Sequence, residues 1–220
     1  SIAWHSGLHA DGLPPVTAAA AVAVRFAVGY VLGQRADIKW VNDVLVDGKK
    51  VCGILAECSE RSDGADIVIG IGINLTPPEG GFPPELGGAG ALCSHMEPEV
   101  AEELAASVIA ELCALLDGGG ADEIMSRYRE GCCSIGGKLR LRRDGGAVEY
   151  TALDIGDDGE LIVESPDGER LTVISAAEVC RPAEIINVIT VSPTGYPPAS
   201  QPPLRDIFPQ AKRTECLTCG

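Results

Sequence analysis

The run from 18 to 32, AAAAVAVRFAVGYVL, constrains this chain more than any other feature. Arg25 is its single charge. A helix with apolar residues on nearly every face needs cover on several sides, and a sheet with further helices supplies it. At fifteen residues the run falls short of the roughly 20 that a bilayer needs. Thr17 is placed to cap the helix at its start and Gly33 to end it.

Strands follow. Residues 1–4 read as the end of one strand, and 38–46 and 50–58 as a pair joined by the Asp47-Gly48 turn, a strong hairpin signal. Residues 66–75 form a third strand ending Gly-Ile-Gly-Ile-Asn, and 77–91, rich in Gly and Pro, form a loop. Ser94-His95-Met96-Glu97 fits a capping box, with Pro98 shifting the first turn by a residue or more, ahead of a helix carried by Val100, Leu104, Val108, Leu112 and Leu115. A short helix covers about 121–130. This is an α+β pattern: helices packed on a mixed or antiparallel sheet. Beyond it, strands at 139–143, 148–155, 161–164 and 170–174 alternate with Gly-rich turns and predict a small β-barrel. The expected divisions are 1–135, 136–181, and a tail, 182–220, with seven prolines and no amphipathic pattern, expected to be disordered apart from a candidate edge strand at 185–191.

Charge narrows the function classes. The net charge is −15. Residues 181–220 carry net +1, so the preceding 180 hold −16. That is the wrong sign for a duplex nucleic-acid binder or an anionic membrane surface, and aromatics at 4% argue against base stacking. No secretory signal is visible, so the nine cysteines are expected reduced and the protein cytoplasmic. Cys52, Cys58 and Cys113 read as buried small hydrophobes. Cys216 and Cys219 form a C-x-x-C without a second pair, so a plain tail outweighs a zinc site. The histidines at 5, 9 and 95 suggest no hydrolase triad.

Against this acidic background, Lys39, Lys49 and Lys50 fall within twelve residues. Lysine is a compact cation suited to phosphate or carboxylate. Asn42 and Asp43 supply oxygen ligands of the kind magnesium takes beside a nucleotide. Gly70 and Gly72 interrupt an Ile/Val strand, which marks close approach of a ligand or backbone, and Asn74 stands at the strand end. Each signal has a plain alternative: Lys49-Lys50 as a solvated hairpin tip, Trp40 as core, Gly-x-Gly without the third glycine of a dinucleotide loop.

Together, Lys39-Trp40-Val41-Asn42-Asp43, then Asp47-Gly48-Lys49-Lys50-Val51-Cys52-Gly53-Ile54-Leu55-Ala56-Glu57, then Ile69-Gly70-Ile71-Gly72-Ile73-Asn74 resemble the catalytic domain of biotin protein ligases, in order and spacing. The resemblance covers about 1–181. It implies a class II synthetase-like sheet of the biotin/lipoate ligase type with a small SH3-like C-terminal barrel. It implies ATP-dependent formation of biotinyl-5′-AMP and transfer of biotin to a lysine of a biotin carboxyl carrier domain, with biotin, ATP and Mg2+ as small-molecule requirements. Lys50 would be the lysine at the biotin carboxylate and adenylate phosphate, and Lys39, at the ATP and metal end, a second catalytic residue. Asn42 and Asp43 would serve nucleotide and metal, while Trp40, Gly53, Gly70, Gly72 and Asn74 would line the biotin and adenylate pocket. Two departures matter. Val41 stands where the family has Pro, and the family's Gly/Arg-rich loop, G-R-G-R-x-G-R, has no counterpart, so the chain is expected to begin in mid-domain. A non-catalytic binding or dimerisation module and a lipoate ligase-like enzyme are the alternatives, and a homodimer stays open. The family's winged-helix DNA-binding domain is not in this sequence, so no repressor role is expected.

Overall fold

A computed structural model describes residues 1–9, 13, 15–143, 146–174 and 179–180. All belong to one compact unit spanning Ser1–Asn187. The readings made for the 182–220 tail, the candidate strand at 185–191 and Cys216/Cys219, like the residues 144–145 and 175–178, lie outside the described residues.

The first sheet is antiparallel, in the order β1-β5-β4-β3-β2, built from β1 (Ile2–Ser6), β2 (Asp37–Lys39), β3 (Asp43–Val46), β4 (Lys49–Arg61) and β5 (Gly64–Ile73). The expected single strand at 38–46 is two strands separated by the turn Trp40-Val41-Asn42, and the Trp40–Val41 peptide is cis. The Asp47-Gly48 hairpin forms as expected: both residues take positive φ, 51° and 73°, which matches the twist of the flanking strands.

Helix α1 (Val16–Leu32) lies on one face of this sheet, and α2 (Pro98–Gly118) and α3 (Ala121–Gly131) pack on α1. Its buried positions, including Ala19, Ala20, Ala21, Ala23, Val24, Ala27 and Val28, go right round the helix, as the unbroken apolar run requires. Gly33 ends it in the left-handed conformation with its N–H on the Gly29 carbonyl. The starts differ from expectation. Thr17 is inside the first turn, and the Pro15 carbonyl takes the first helical bond, from Ala19 N–H. Ser94 is not the cap of α2: Glu97 stands there and Pro98 holds the first helical position, where its missing N–H is no loss. Of the three cysteines expected in the core, only Cys52 is there. Cys58 lies in the last five residues of β4, all exposed where the strand outruns its cover, and Cys113 sits on the outer side of α2 beside buried Leu112. Among the described residues no helix is long and apolar enough to cross a membrane.

A second antiparallel sheet, β10-β6-β7-β8-β9, comprises β6 (Lys138–Arg143), β7 (Gly146–Ile155), β8 (Leu161–Glu164), β9 (Arg170–Val173) and β10 (Val179–Cys180). Its core side chains, Leu141, Tyr150, Ile155, Leu161, Val163 and Val173, alternate along the strands.

Edge strand β1 is fastened by its own side chain: His5 Nδ1 lies 2.7 Å from Asp66 Oδ1, and Arg61 Nε donates to the other oxygen. The bond to His5 first of all holds the Asp66 carboxyl below the usual carboxylate range; burial opposes it, and Arg61 adds to the lowering. A carboxyl whose native pKa is lowered contributes stability that is complete above its unfolded pKa and is lost as pH falls through the native value. The stability difference between the native chain and Asp66→Asn should therefore shrink towards zero as pH falls below the normal aspartate pKa of about 4, in thermal melts run from about pH 2 to 5.

Candidate functional site

The two faces of the first sheet differ. Cys52, Ile54, Ala65, Ile67 and Ile69 point into the helical core. On the opposite face lies a row of directly paired residues crossing four strands: Lys39 on β2, Asp43 on β3, Gly53 on β4 and Gly72 on β5. Gly70 pairs with Leu55, next along on the same face, and Leu55 is 63% exposed. Charged residues thus hold one end of the row, and bare backbone with an exposed leucine the other. Such a surface suits a ligand with a flat apolar part and an anionic end.

Lys50 joins this row through an irregularity. By simple alternation it shares the parity of Cys52 and Ile54 and would point into the core. The pairing runs Val44↔Cys52 and then Leu45↔Lys50, so Val51 is an extra, unpaired residue and the side-chain order reverses. Val51 and Cys52 are both 1% exposed, and Lys50 emerges on the row's side. Its side chain folds back over Gly53, where a Cβ would lie 3.3 Å from both Cε and Nζ. Its ammonium reaches 2.5 Å from Asp43 Oδ1, off the angle of a hydrogen bond, so the contact is an ion pair. Lys50 is about one-third exposed and Asp43 nearly buried, leaving the ammonium open to an incoming anion.

The other expected residues divide. Asn42 pins β3 to β4: its Nδ2 donates to the Ile54 carbonyl at 2.8 Å, and its own carbonyl accepts from Ile54 N–H. Asn74 Nδ2 donates to the Gly90 carbonyl at 2.9 Å. Trp40 is core: it is 8% exposed, with its indole N–H on the Gly159 carbonyl at 2.9 Å. Beneath the row, burial and then the Asp43 charge push the Cys52 thiol up to about 12, against a lowering by Lys50, so it stays protonated and is no nucleophile.

Three positions matter that the sequence reading did not single out. Tyr128 on α3 is fully buried and donates its hydroxyl to the Val41 carbonyl at 2.9 Å. Ser134 Oγ accepts the Trp40 N–H at 3.0 Å. Gly90 passes so close to β4 that a Cβ there would lie 2.6 Å from Lys49 Cβ. The glycine run 87–90 was the available signal for the last. For the first it was the helical spacing of Ile124 and Tyr128 in a short helix that is polar elsewhere but for Ala121 and Met125.

Among the described residues no three His, Cys, Asp or Glu side chains converge as a metal site. The row offers one carboxylate, Asp43, already paired to an ammonium. That fits a magnesium ion carried mainly by nucleotide phosphates and water.

The family model of the biotin/lipoate A/B protein ligase family matches residues 15–74. A biotin--[acetyl-CoA-carboxylase] ligase of Paracoccus denitrificans is 36% identical over 170 residues, covering 73% of this chain and 70% of that protein. The bifunctional ligase/repressor BirA of Bacillus spizizenii is 32% identical over 163 residues, covering 70% of this chain and 50% of that protein. The chain thus spans about half the length of such Bacillus relatives. Among solved structures, the biotin protein ligase of Aquifex aeolicus without ligand superposes with a TM-score of 0.60 at 21% identity, over 78% of this chain and 76% of that one. The same enzyme with biotin and ATP gives 0.57 at 19% identity, over 76% and 70%. This chain belongs to the biotin protein ligase family.

Proposed function

We propose that the chain activates biotin with ATP to biotinyl-5′-AMP and passes the biotinyl group to a lysine of a biotin carboxyl carrier domain. The observation that carries this is the Lys50 ammonium, lifted onto the open face beside the Gly53–Gly72 floor and held by a single carboxylate. In the first step a biotin carboxylate oxygen attacks the α-phosphorus and pyrophosphate leaves. Negative charge accumulates between carboxylate and phosphate, and a fixed ammonium there lowers the barrier. In the second step the deprotonated carrier amine attacks the acyl carbon and AMP leaves with the bonding electrons. Gly53, Gly70 and Gly72 would let the flat ligand lie against backbone, and Lys39, across from Asp43, would face the phosphate end. Trp40 would serve the pocket indirectly, by holding the turn that carries Asn42 and Asp43. A magnesium ion on the phosphates would offset the charge of the leaving pyrophosphate, with Asp43 and Asn42 the nearby oxygen donors from this chain. The second sheet would form the SH3-like barrel. Biotin, ATP and a carboxylase carrier domain would meet this chain in the cytoplasm.

The alternative is a module that binds without forming the adenylate. One assay separates them: chain, biotin, ATP, magnesium and a carrier domain, read as biotinylated carrier. The proposal expects product from the native chain and roughly 100-fold less from Lys50→Ala, the loss typical of removing one donor to transition-state charge. Equal background from both overturns it. Pyrophosphate release that depends on lipoate and not biotin would instead assign the family's other substrate.

A further inference from the structure

Nothing in the sequence around Lys50 announces a bulge, and a bulge has a cost: it leaves backbone donors and acceptors without their ladder partners. At this point those groups are taken up by a separate segment. Strand β5 stops at Ile73, opposite Cys52. Beyond that point residues 88–90 take its place as the neighbour of β4, in a parallel bridge of Ala89 with Lys50. Lys50 N–H donates to the Gly88 carbonyl at 2.7 Å, and the Lys50 carbonyl accepts from Gly90 N–H at 2.8 Å. The carbonyl of Val51, the extra residue, accepts from Asn74 N–H at 2.7 Å.

Asn74 ties the two pieces together. Its backbone N–H holds the bulge, its side-chain Nδ2 holds the Gly90 carbonyl, and its own carbonyl accepts from Leu92 N–H at 2.9 Å. With its amide nitrogen committed to Gly90, Asn74 acts on the protein's own backbone. Gly90 is required for the same contact, because any Cβ there meets Lys49 Cβ.

We infer that Asn74 and the 88–90 strap are positioning elements for Lys50: they hold the Val51 bulge, and the bulge aims the ammonium at the open face instead of the core. This rests on the reading of Lys50 as the substrate-facing cation, but its test uses neither biotin nor ATP, so failure of the biotinylation assay and failure of this inference are separate results.

The aim of position 50 is read by alkylation. In a Lys50→Cys chain, residue 50 is labelled with iodoacetamide and followed by peptide mass spectrometry. Adding Asn74→Ala, or Gly90→Ala, should slow labelling at position 50 at least tenfold, because without the bulge its parity turns it inward. Adding Lys49→Gly to the Gly90→Ala chain removes the clashing Cβ and should restore the rate, a rescue that general destabilisation does not produce. In chains retaining Lys50, amide exchange at Lys50 should quicken at least tenfold in Asn74→Ala while Ile54 and Ile69 keep their protection. An unchanged or faster labelling rate at position 50 in both variants, or no rescue by Lys49→Gly, overturns the inference. Should Asn74→Ala fail to fold, the Gly90→Ala and Lys49→Gly pair decides it.

Discussion

Replacing Trp40 by Ala should destabilise the chain by about 3–5 kcal/mol, the usual range for emptying a buried aromatic site. Trp40 is 8% exposed and is gripped at both ends: its N–H on Ser134 Oγ and its indole N–H on the Gly159 carbonyl in the turn between β7 and β8. The next carbonyl, that of Val41, accepts the Tyr128 hydroxyl. Arg129, the following residue on α3, donates to the Ile155 carbonyl at 2.6 Å and pairs with Asp157 at 2.5 Å, holding that same turn from the other side. The turn before Asp43 is therefore clamped between α3 and the second sheet. Trp40→Phe keeps most of the ring and loses only the donor, leaving the Gly159 carbonyl without its partner, so about 1–2 kcal/mol is expected. Urea unfolding of the three chains checks this. A Trp40→Ala cost below about 1 kcal/mol would mean that the clamp does not form.

This clamp marks the limit of what the residues alone disclose. Apolar periodicity and turn chemistry report on neighbours in the chain. They were enough for α1, whose uninterrupted Ala and Val run requires burial all round, for Gly33, and for the Asp47-Gly48 turn. Gly70 and Gly72 stood out too, because glycine weakens a strand unless something needs the space. What a distant segment decides is not disclosed by the residues alone. Lys50 faces the row only because a strap forty residues downstream stabilises a bulge, and alternation alone sends it inward. Trp40 sits in a motif that marks a pocket, yet the second sheet, over a hundred residues on, claims its indole. Asn42 and Asn74, singled out as ligand contacts, spend their amide nitrogens on backbone carbonyls. Thr17 and Ser94 are good caps on propensity, but Pro15 and Pro98 set where those helices begin. Cys58 and Cys113, expected in the core, lie outside it in space.

Gly64→Ala should cost about 3 kcal/mol, several times more than Gly33→Ala, although both glycines have positive φ. At Gly33, φ is 64° and a Cβ would meet nothing within 4 Å, so only the conformational preference is lost, about 1 kcal/mol. At Gly64, φ is 136° and a Cβ would lie 2.0 Å from the Ser6 carbonyl oxygen and 2.9 Å from Gly7 Cα. Those are backbone atoms and cannot rotate aside. Gly64 opens β5 where the end of β1 crosses it, with Ser6 paired to the neighbouring Ala65. Any side chain at 64 therefore drives the end of β1 off the sheet, and with it the His5–Asp66 contact one row further in. Because, among the described residues, β1 is an edge strand with β5 as its only neighbour in the sheet, no second ladder there holds it in place. Thermal melts give the two stabilities, and amide exchange gives the location: Gly64→Ala should expose the amides of β1 while leaving the β4–β5 ladder around Gly53 and Gly72 protected. Equal costs at the two positions would show that the close approach of β1 to Gly64 does not exist in solution.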